Sequence, residues 1–328
     1  MKLLLKPGCK AWMGAVALGL ALVPALHAEE KWPSRPLTII VPGPAGGSVD
    51  NPIRLLGQKL GVLLGQPVVV INKPGSGGII GTQAFLRTPA DGYTLLAGNV
   101  GPQAINYSAY QNLPYKAADF RPIAGVVSFP NVLVVNASSD VKSVAELVSS
   151  LKNTPKDASF GSAGIGQTSH LMGEIFKLQT GVAAVHVPYK GSAPATMALL
   201  AGETKFQFDN LTLALPHIQS QKLRALAVTA ESRVPDLPNL PTMGEAGYPN
   251  MISSAWVGLF VSSAVPENVS QAIETAVSTV MRDPELRDKL AQSGGVPSSL
   301  TGKAFADFVG QDTARWKAAI DSSGVRLD

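Results

Sequence analysis

The sequence predicts an α/β protein with mixed, mostly parallel sheets and helices on both faces. Three observations lead there. Short apolar, β-branched runs alternate with stretches whose apolar residues recur at helical spacing, the pattern of parallel strands joined by crossover helices. Glycine-rich turns lead from a strand into a helix three times, around residues 43–48, 72–81 and 161–170. The 328 residues are enough for two domains of ordinary size even after a leader is set aside.

The leader comes first. Lys2, Lys6 and Lys10 form a basic segment, 11–26 is apolar with small residues, and Ala28 precedes Glu29 and Glu30. This predicts a secretory signal peptide over 1–28, cleaved after Ala28 or alternatively after Ala25. Gly14, Gly19 and Pro24 interrupt the apolar run and argue against a retained anchor. Of 27 basic residues the leader takes three, leaving 24 against 23 acidic ones, so the mature chain is nearly neutral. With no basic cluster, nucleic acid is excluded as a partner. The single cysteine, Cys9, leaves with the leader, which removes disulfide and thiol chemistry.

The first strand is predicted at 37–41, LTIIV, and ends at Pro42. Gly43, Pro44, Ala45, Gly46 and Gly47 follow, then Ser48, Asp50 or Asn51 as a cap. Pro52 suits a first helical turn, and Ile53, Leu56, Leu60 and Leu63 recur at helical spacing until Gly65. Strand 68–71 leads into Ser76, Gly77, Gly78 and a second helix. Strand 93–96 leads into a loop holding Gly98, Asn99, Gly101 and Pro102. Residues 113–122 read as surface turn, and 131–135, NVLVV, as a buried strand. Ser143 and Glu146 predict a capping box for a helix through Leu151. The third glycine loop, with Ser162, Thr168, Ser169 and His170, opens a helix with Leu171, Ile175 and Leu178 on its apolar face. Strand 185–187 connects through Tyr189 to helix 193–200. Strands follow at 206–208, ended by Asp209 and Asn210, at 223–228 and at 256–261. The tail is helical from Pro266, with Val269, Ile273, Val277 and Val280 aligned, and again through Phe305, Trp316 and Ile320.

Little of this suits catalysis. The four histidines show no metal spacing, no G-x-S-x-G is present, and Ser169 and His170 are helix neighbours that point apart. GSGGIIG at 75–81 fails the dinucleotide fingerprint because Ile80 stands where glycine is needed. No metal and no cofactor is expected. What remains is backbone N–H groups and hydroxyls at helix N-termini, which hold an anion without transforming it. Asp50 and Asp209 are the nearby carboxyls, each suited equally to capping or to accepting from a ligand.

Many ordered blocks carry a resemblance: WPSRPLTIIVP with GGSVD (32–50), INKPGSGG (71–78), DGYTLL (91–96), AINYSAY (104–110), LPYKAADFRPI (113–123), NVLVV, GSAGIGQTSHL (161–171), HVPYKGSAPA (186–195), FDN (208–210), KLRALAVT (222–229) and LPNLPTMGEAG (237–247). The chain resembles, over its whole mature length, the periplasmic solute-binding proteins of tripartite tricarboxylate transporters, the Bug family. The resemblance implies a two-domain, type II periplasmic-binding-protein fold with the ligand in the interdomain cleft. Its domains would be 29–130 with 257–328, and 131–256. It implies a periplasmic, monomeric binding protein, not an enzyme, that closes on a small carboxylate and serves a membrane permease or a sensor receptor. An exported enzyme acting on a carboxylate is the alternative. The ligand residues so implied are Pro44, Ala45, Gly46, Gly47, Ser48, Asp50, Ser76, Gly77, Gly78, Asn99, Ser162, Thr168, Ser169, Tyr189 and Asp209, acting largely through backbone and ordered water. Two positions depart from the family pattern: Gly43 replaces an aromatic residue, and Gln103 stands where histidine is common. Aromatic acids, dicarboxylates, tricarboxylates and amino acids all stay open as ligands.

Overall fold

Strand β1 (Leu37–Val41) and helix α1 (Asp50–Leu64) set the repeating unit of the chain. The computed structural model describes residues 32–251, 254–323 and 326; the expected leader lies outside them. Helix α1 buries Ile53, Leu56 and Leu60 in a core shared with Leu37, Ile39 and Val41, and ends at Gly65, whose φ of 65° is left-handed. Leu64 completes the apolar stripe in place of Leu63, which is exposed: from Leu60 the stripe continues at i+4 rather than i+3.

Strand β2 (Val68–Asn72) is followed by a single 3₁₀ turn, Ser76–Gly78, and by α2 (Ile79–Leu86). Strand β3 (Thr94–Asn99) takes in Gly98 and Asn99, expected in a loop. A π turn, Gly101–Ile105, leads to the short α3 (Asn106–Ala109). The largest departure from expectation is β4 (Phe120–Asn136), one strand of 17 residues where a surface turn and a short strand were expected. Pro122 misled the sequence reading because proline lacks a ladder donor. The strand passes it at a register irregularity between Pro122 and Ala124.

Helix α4 (Val144–Asn153) is capped by Ser143 Oγ, which accepts the Glu146 amide at 3.2 Å. The other half of the expected box goes elsewhere, because Glu146 Oε2 accepts the amide of Lys142. Then come β5 (Ser159–Ser162), α5 (Thr168–Thr180), β6 (Val185–Pro188), α6 (Ser192–Leu200) and β7 (Phe206–Asn210). In α5 the buried apolar side chains are Leu171, Met172, Ile175 and Phe176, while Leu178 is exposed. Helix α7 (Leu211–Gln219) was not anticipated, since Pro216 falls inside it. Strand β8 (Leu223–Val228), β9 (Ser254–Ser262) and α8 (Glu267–Val280) follow the expected pattern. Helix α9 (Pro284–Gln292) escaped notice because only Leu286 and Leu290 of its mostly charged sequence are buried. Two-residue β10 (Val296–Pro297) precedes the long α10 (Gly302–Ser323).

Among the described residues the strands form two sheets that share β4. The first runs β2-β1-β3-β9-β4, with β10 also on β4, and the second runs β8-β4-β7-β5-β6. Pairings of β1 with β2 and β3, and of β5 with β6 and β7, are parallel; those of β9 and β4 are antiparallel. Strand β4 pairs with β9 as far as Pro130 and with β7 from Asn131, so it changes sheets within one step. Helix α10 is tied to this centre by Asp312. Its buried Oδ2 accepts the indole N–H of Trp256 at 2.8 Å and of Trp316 at 2.9 Å. Burial raises the Asp312 pKa, and the two indoles and Arg315 oppose that rise. No helix among the described residues is long and apolar enough to cross a membrane.

Candidate functional site

The parallel strands β1, β3, β5 and β7 end at one cleft of about 550 Å³, the place where open α/β sheets take ligands. One wall is Pro42, Gly43, Pro44, Ser48, Val49, Gly77, Gly78, Asn99 and Tyr110, and the other is Ile165, Gln167, Thr168, Ser169, Ser192 and Asp209. Phe129, Asn131, Ala255 and Trp256, from β4 and β9, also line it.

Of the residues expected from sequence, Pro44, Ser48, Gly77, Gly78, Asn99, Thr168, Ser169 and Asp209 line the cleft. Ala45, Gly46, Gly47, Asp50, Ser76, Ser162 and Tyr189 do not, and most have structural work instead. The amide of Gly46 donates to Asp50 Oδ2 at 2.8 Å, and that of Gly47 to the Pro44 carbonyl at 3.3 Å. Those two N–H groups, expected to meet a ligand, are spent on the loop itself. Asp50 is 1% exposed and does not cap α1; it holds Arg54 Nε on Oδ2 at 2.8 Å and Asn72 Nδ2 on Oδ1 at 2.9 Å. Asn72 Nδ2 also donates to the Gly43 carbonyl. Loop, strand end and helix are thus locked through one carboxylate. Burial alone would raise its pKa, but the hydrogen bonds from Arg54, Gly46 and Asn72 outweigh it and the pKa is lowered.

Ser162 is fully buried, with Oγ 2.6 Å from His186 Nε2 and accepting the Gly164 amide. Tyr189 turns its hydroxyl to Glu203. The loop above Ser162 rests on a stacked pair of imidazoles, His170 and His186, with ring centroids 3.9 Å apart. His170 Nδ1 accepts the Gly166 amide. Burial pushes both pKa values down to about 4, with Lys177 adding to the effect on each; Glu174 opposes it at His186.

A pH dependence follows. Unfolded histidines bind protons below about pH 6.5, whereas these two in the fold resist down to about 4. Stability is therefore present above pH 6.5 and lost as pH falls toward 4, by up to about 1.4 kcal/mol per pH unit for each histidine. Asp209 and Asp312, whose pKa values are raised, work in the opposite sense and make the net slope shallower. The melting temperature is expected to fall by several degrees between pH 7 and pH 5, and His186→Gln should flatten that fall. An unchanged slope in the variant would remove the pair as its source.

The cleft walls are built of donors without cations. Helices α1, α5 and α6 start at residues beside the cleft, and none has a side-chain cap on its first turn. First-turn N–H groups carry the positive end of the helix dipole; in α1, however, the Asn51 amide donates to the Gly47 carbonyl at 3.1 Å and Pro52 has no N–H. Gly77 and Gly78, at φ 59° and 89°, bring bare backbone to the same space, a conformation that a side chain would strain. Among the described residues lining the cleft there is no Lys, Arg or His, and Asp209 is the only ionisable carboxyl. Asp209 is buried and already occupied: Oδ1 accepts Ser192 Oγ at 2.7 Å and the Asn210 amide at 2.8 Å, and Oδ2 accepts Thr196 Oγ1 at 3.0 Å. Burial raises its pKa against those bonds. Among the described residues no group of three or more His, Cys, Asp or Glu is placed to hold a metal.

At the two departures noted in the sequence, Gly43 lines the cleft and a Cβ there would touch only Val41, at 3.9 Å. Gln103 lies outside the cleft, buried, accepting the Tyr107 hydroxyl at 3.1 Å. Sequence reasoning missed Asn106, Tyr110, Asn131, Gln167, Ser192 and Trp256 as lining residues. Ser192 was within reach, since Gly191-Ser192 joins a strand to a helix as the three recognised loops do. Asn131 was read as the head of an apolar strand and as a domain boundary, not as a donor.

Comparison with known proteins shows the family and the fold. Protein BugT of Bordetella pertussis (strain Tohama I) is 34% identical, the match covering 95% of this chain and 96% of BugT. The structure of R. palustris Rpa4515 with adipate superposes with a TM-score of 0.77 at 34% identity, over 90% of this chain and 99% of that one. MatC (Rpa3494) from Rhodopseudomonas palustris with bound malate gives a TM-score of 0.72 at 27% identity, over 88% and 99%. Residues 53–325 match the family model TctC, and the chain belongs to that family, the tripartite tricarboxylate transporter family receptors.

Proposed function

We propose that this chain is a periplasmic solute-binding protein that captures a small carboxylate and presents it to a membrane permease of the tripartite type. One observation carries the reading: the uncapped start of α5 and the bare backbone of Gly77 and Gly78 line the same cleft, with no Lys, Arg or His among its described lining residues. Such donors suit a carboxylate, directly or through ordered water. The acids bound by Rpa4515 and MatC, adipate and malate, are of this class. The lobes that would close are 29–130 with 257–328, and 131–256, with a ligand favouring the closed state because it satisfies donors from both. Residues 1–28 would direct export, and the chain would act as a monomer. It is not an enzyme in this reading: among the described residues the one carboxyl lining the cleft, Asp209, accepts from Ser192, Thr196 and Asn210, and no Lys, Arg or His lines the cleft with it.

The test is a thermal-shift screen against monocarboxylates, dicarboxylates, tricarboxylates and amino acids. An acid present at about a hundred times its dissociation constant adds about 2.7 kcal/mol of stability. A shift with at least one acid is expected, without its consumption; no shift across the panel, or turnover of the acid, would overturn the proposal.

A further inference from the structure

Six buried side-chain polar atoms among the described residues lack a hydrogen-bond partner, and only one of them belongs to a residue lining the cleft. It is Nδ2 of Asn131, a side chain 1% exposed. Buried amide donors are nearly always paired, so an orphan of this kind marks a missing partner. The backbone of Asn131 is fully engaged: its amide donates to Thr229 Oγ1 at 2.9 Å, and its carbonyl accepts the Thr229 amide at 2.8 Å. The residue is therefore fixed in place while its side-chain amide stays unsatisfied. It stands at the step where β4 passes from one sheet to the other. The terminal torsion of an asparagine is broad, so the amide can turn toward a guest at little cost.

We propose that Asn131 is a specificity-determining residue of the cleft. It donates its side-chain amide to a second oxygen of the bound acid, and so favours acids carrying an oxygen function beyond the first carboxylate. This deepens the carboxylate reading above and rests on it. A ligand without the second oxygen leaves the donor unpaired in the closed site, which is how polar pockets reject analogues lacking a group.

The experiment is calorimetric titration with straight-chain C4–C8 monocarboxylates and the α,ω-dicarboxylates of equal length, on the wild-type chain, Asn131→Leu and Asn131→Asp. The wild type should bind its preferred dicarboxylate at least tenfold tighter than the matched monocarboxylate. Asn131→Leu should bring that ratio close to one, its fold being checked separately by a cooperative thermal melt. Asn131→Asp, nearly the same shape, replaces the donor by an anion and should disfavour the dicarboxylate further. A ratio near one in the wild type, or the wild-type ratio kept in both variants, overturns the role of Asn131 and leaves the carboxylate reading standing. Failure of the wild type to bind either series counts instead against the carboxylate reading, and this assignment falls with it.

Discussion

Gly81→Ala is expected to cost about 3 kcal/mol or more and to abolish acid binding. A Cβ at position 81 would lie 2.6 Å from the Lys73 carbonyl oxygen and 2.6 Å from Pro42 Cα, both backbone atoms. Side chains can swing away from an added methyl group, but backbone at that distance can only separate. Separation would part the loop after β1 from the loop after β2, and those two loops make one wall of the cleft. Gly310→Ala is the contrast. It lies within α10 with nothing within 4 Å of its Cβ, so alanine should stabilise the helix by about 0.5–1 kcal/mol. Thermal melts of the two variants, with and without an acid that shifts the wild type, check both signs. A Gly81→Ala protein that melts and binds like the wild type would show that the two loops can part freely.

Asp50→Ala is expected to lower stability by about 2–3 kcal/mol and to weaken carboxylate binding at least tenfold, although Asp50 does not line the cleft. Its carboxylate holds the Gly46 amide, Arg54 and Asn72 at once. Removal frees the loop after β1 from the end of β2 and leaves the Gly46 N–H without its acceptor. Asp50→Asn keeps the shape and part of the bonding, so its loss should be smaller. Because its pKa in the fold is lowered, the contribution of Asp50 is present above the ordinary carboxylate range and disappears as pH falls below it. The difference between wild type and Asp50→Ala melts should therefore shrink toward pH 3. An alanine variant that loses stability yet keeps full affinity would mean that the loop needs no lock to hold a ligand.

Much of this molecule was legible in the sequence, and what was missed has identifiable causes. Strand β1, the α1 segment and the glycine loops were readable because β-branched runs, helical spacing and glycine each report local backbone preference. The unbroken β4 was not, because Pro122 and Pro130 argue locally against a strand that its neighbours β9 and β7 nonetheless complete. Helix α7 was lost to Pro216, and α9 to its shortage of apolar residues, since tertiary contacts decide both. At the site, local sequence located the loops but not which atoms they leave free. That Gly46 and Gly47 spend their amides on Asp50 and Pro44 is a matter of three-dimensional bookkeeping. That Asn131 keeps a spare donor is settled by its surroundings, not by its spacing.

In the proposed reading the acid is held by peptide backbone, at the start of α5 and at Gly77 and Gly78, which no side-chain replacement can delete so long as the turn survives. Such a handle depends on the loop that carries it, not on the side chains that reach the rest of the ligand. Cargo preference can then drift through substitutions at positions such as 43, 110, 131 and 192 without grip on the acid being lost. One scaffold can in this way serve many nutrients.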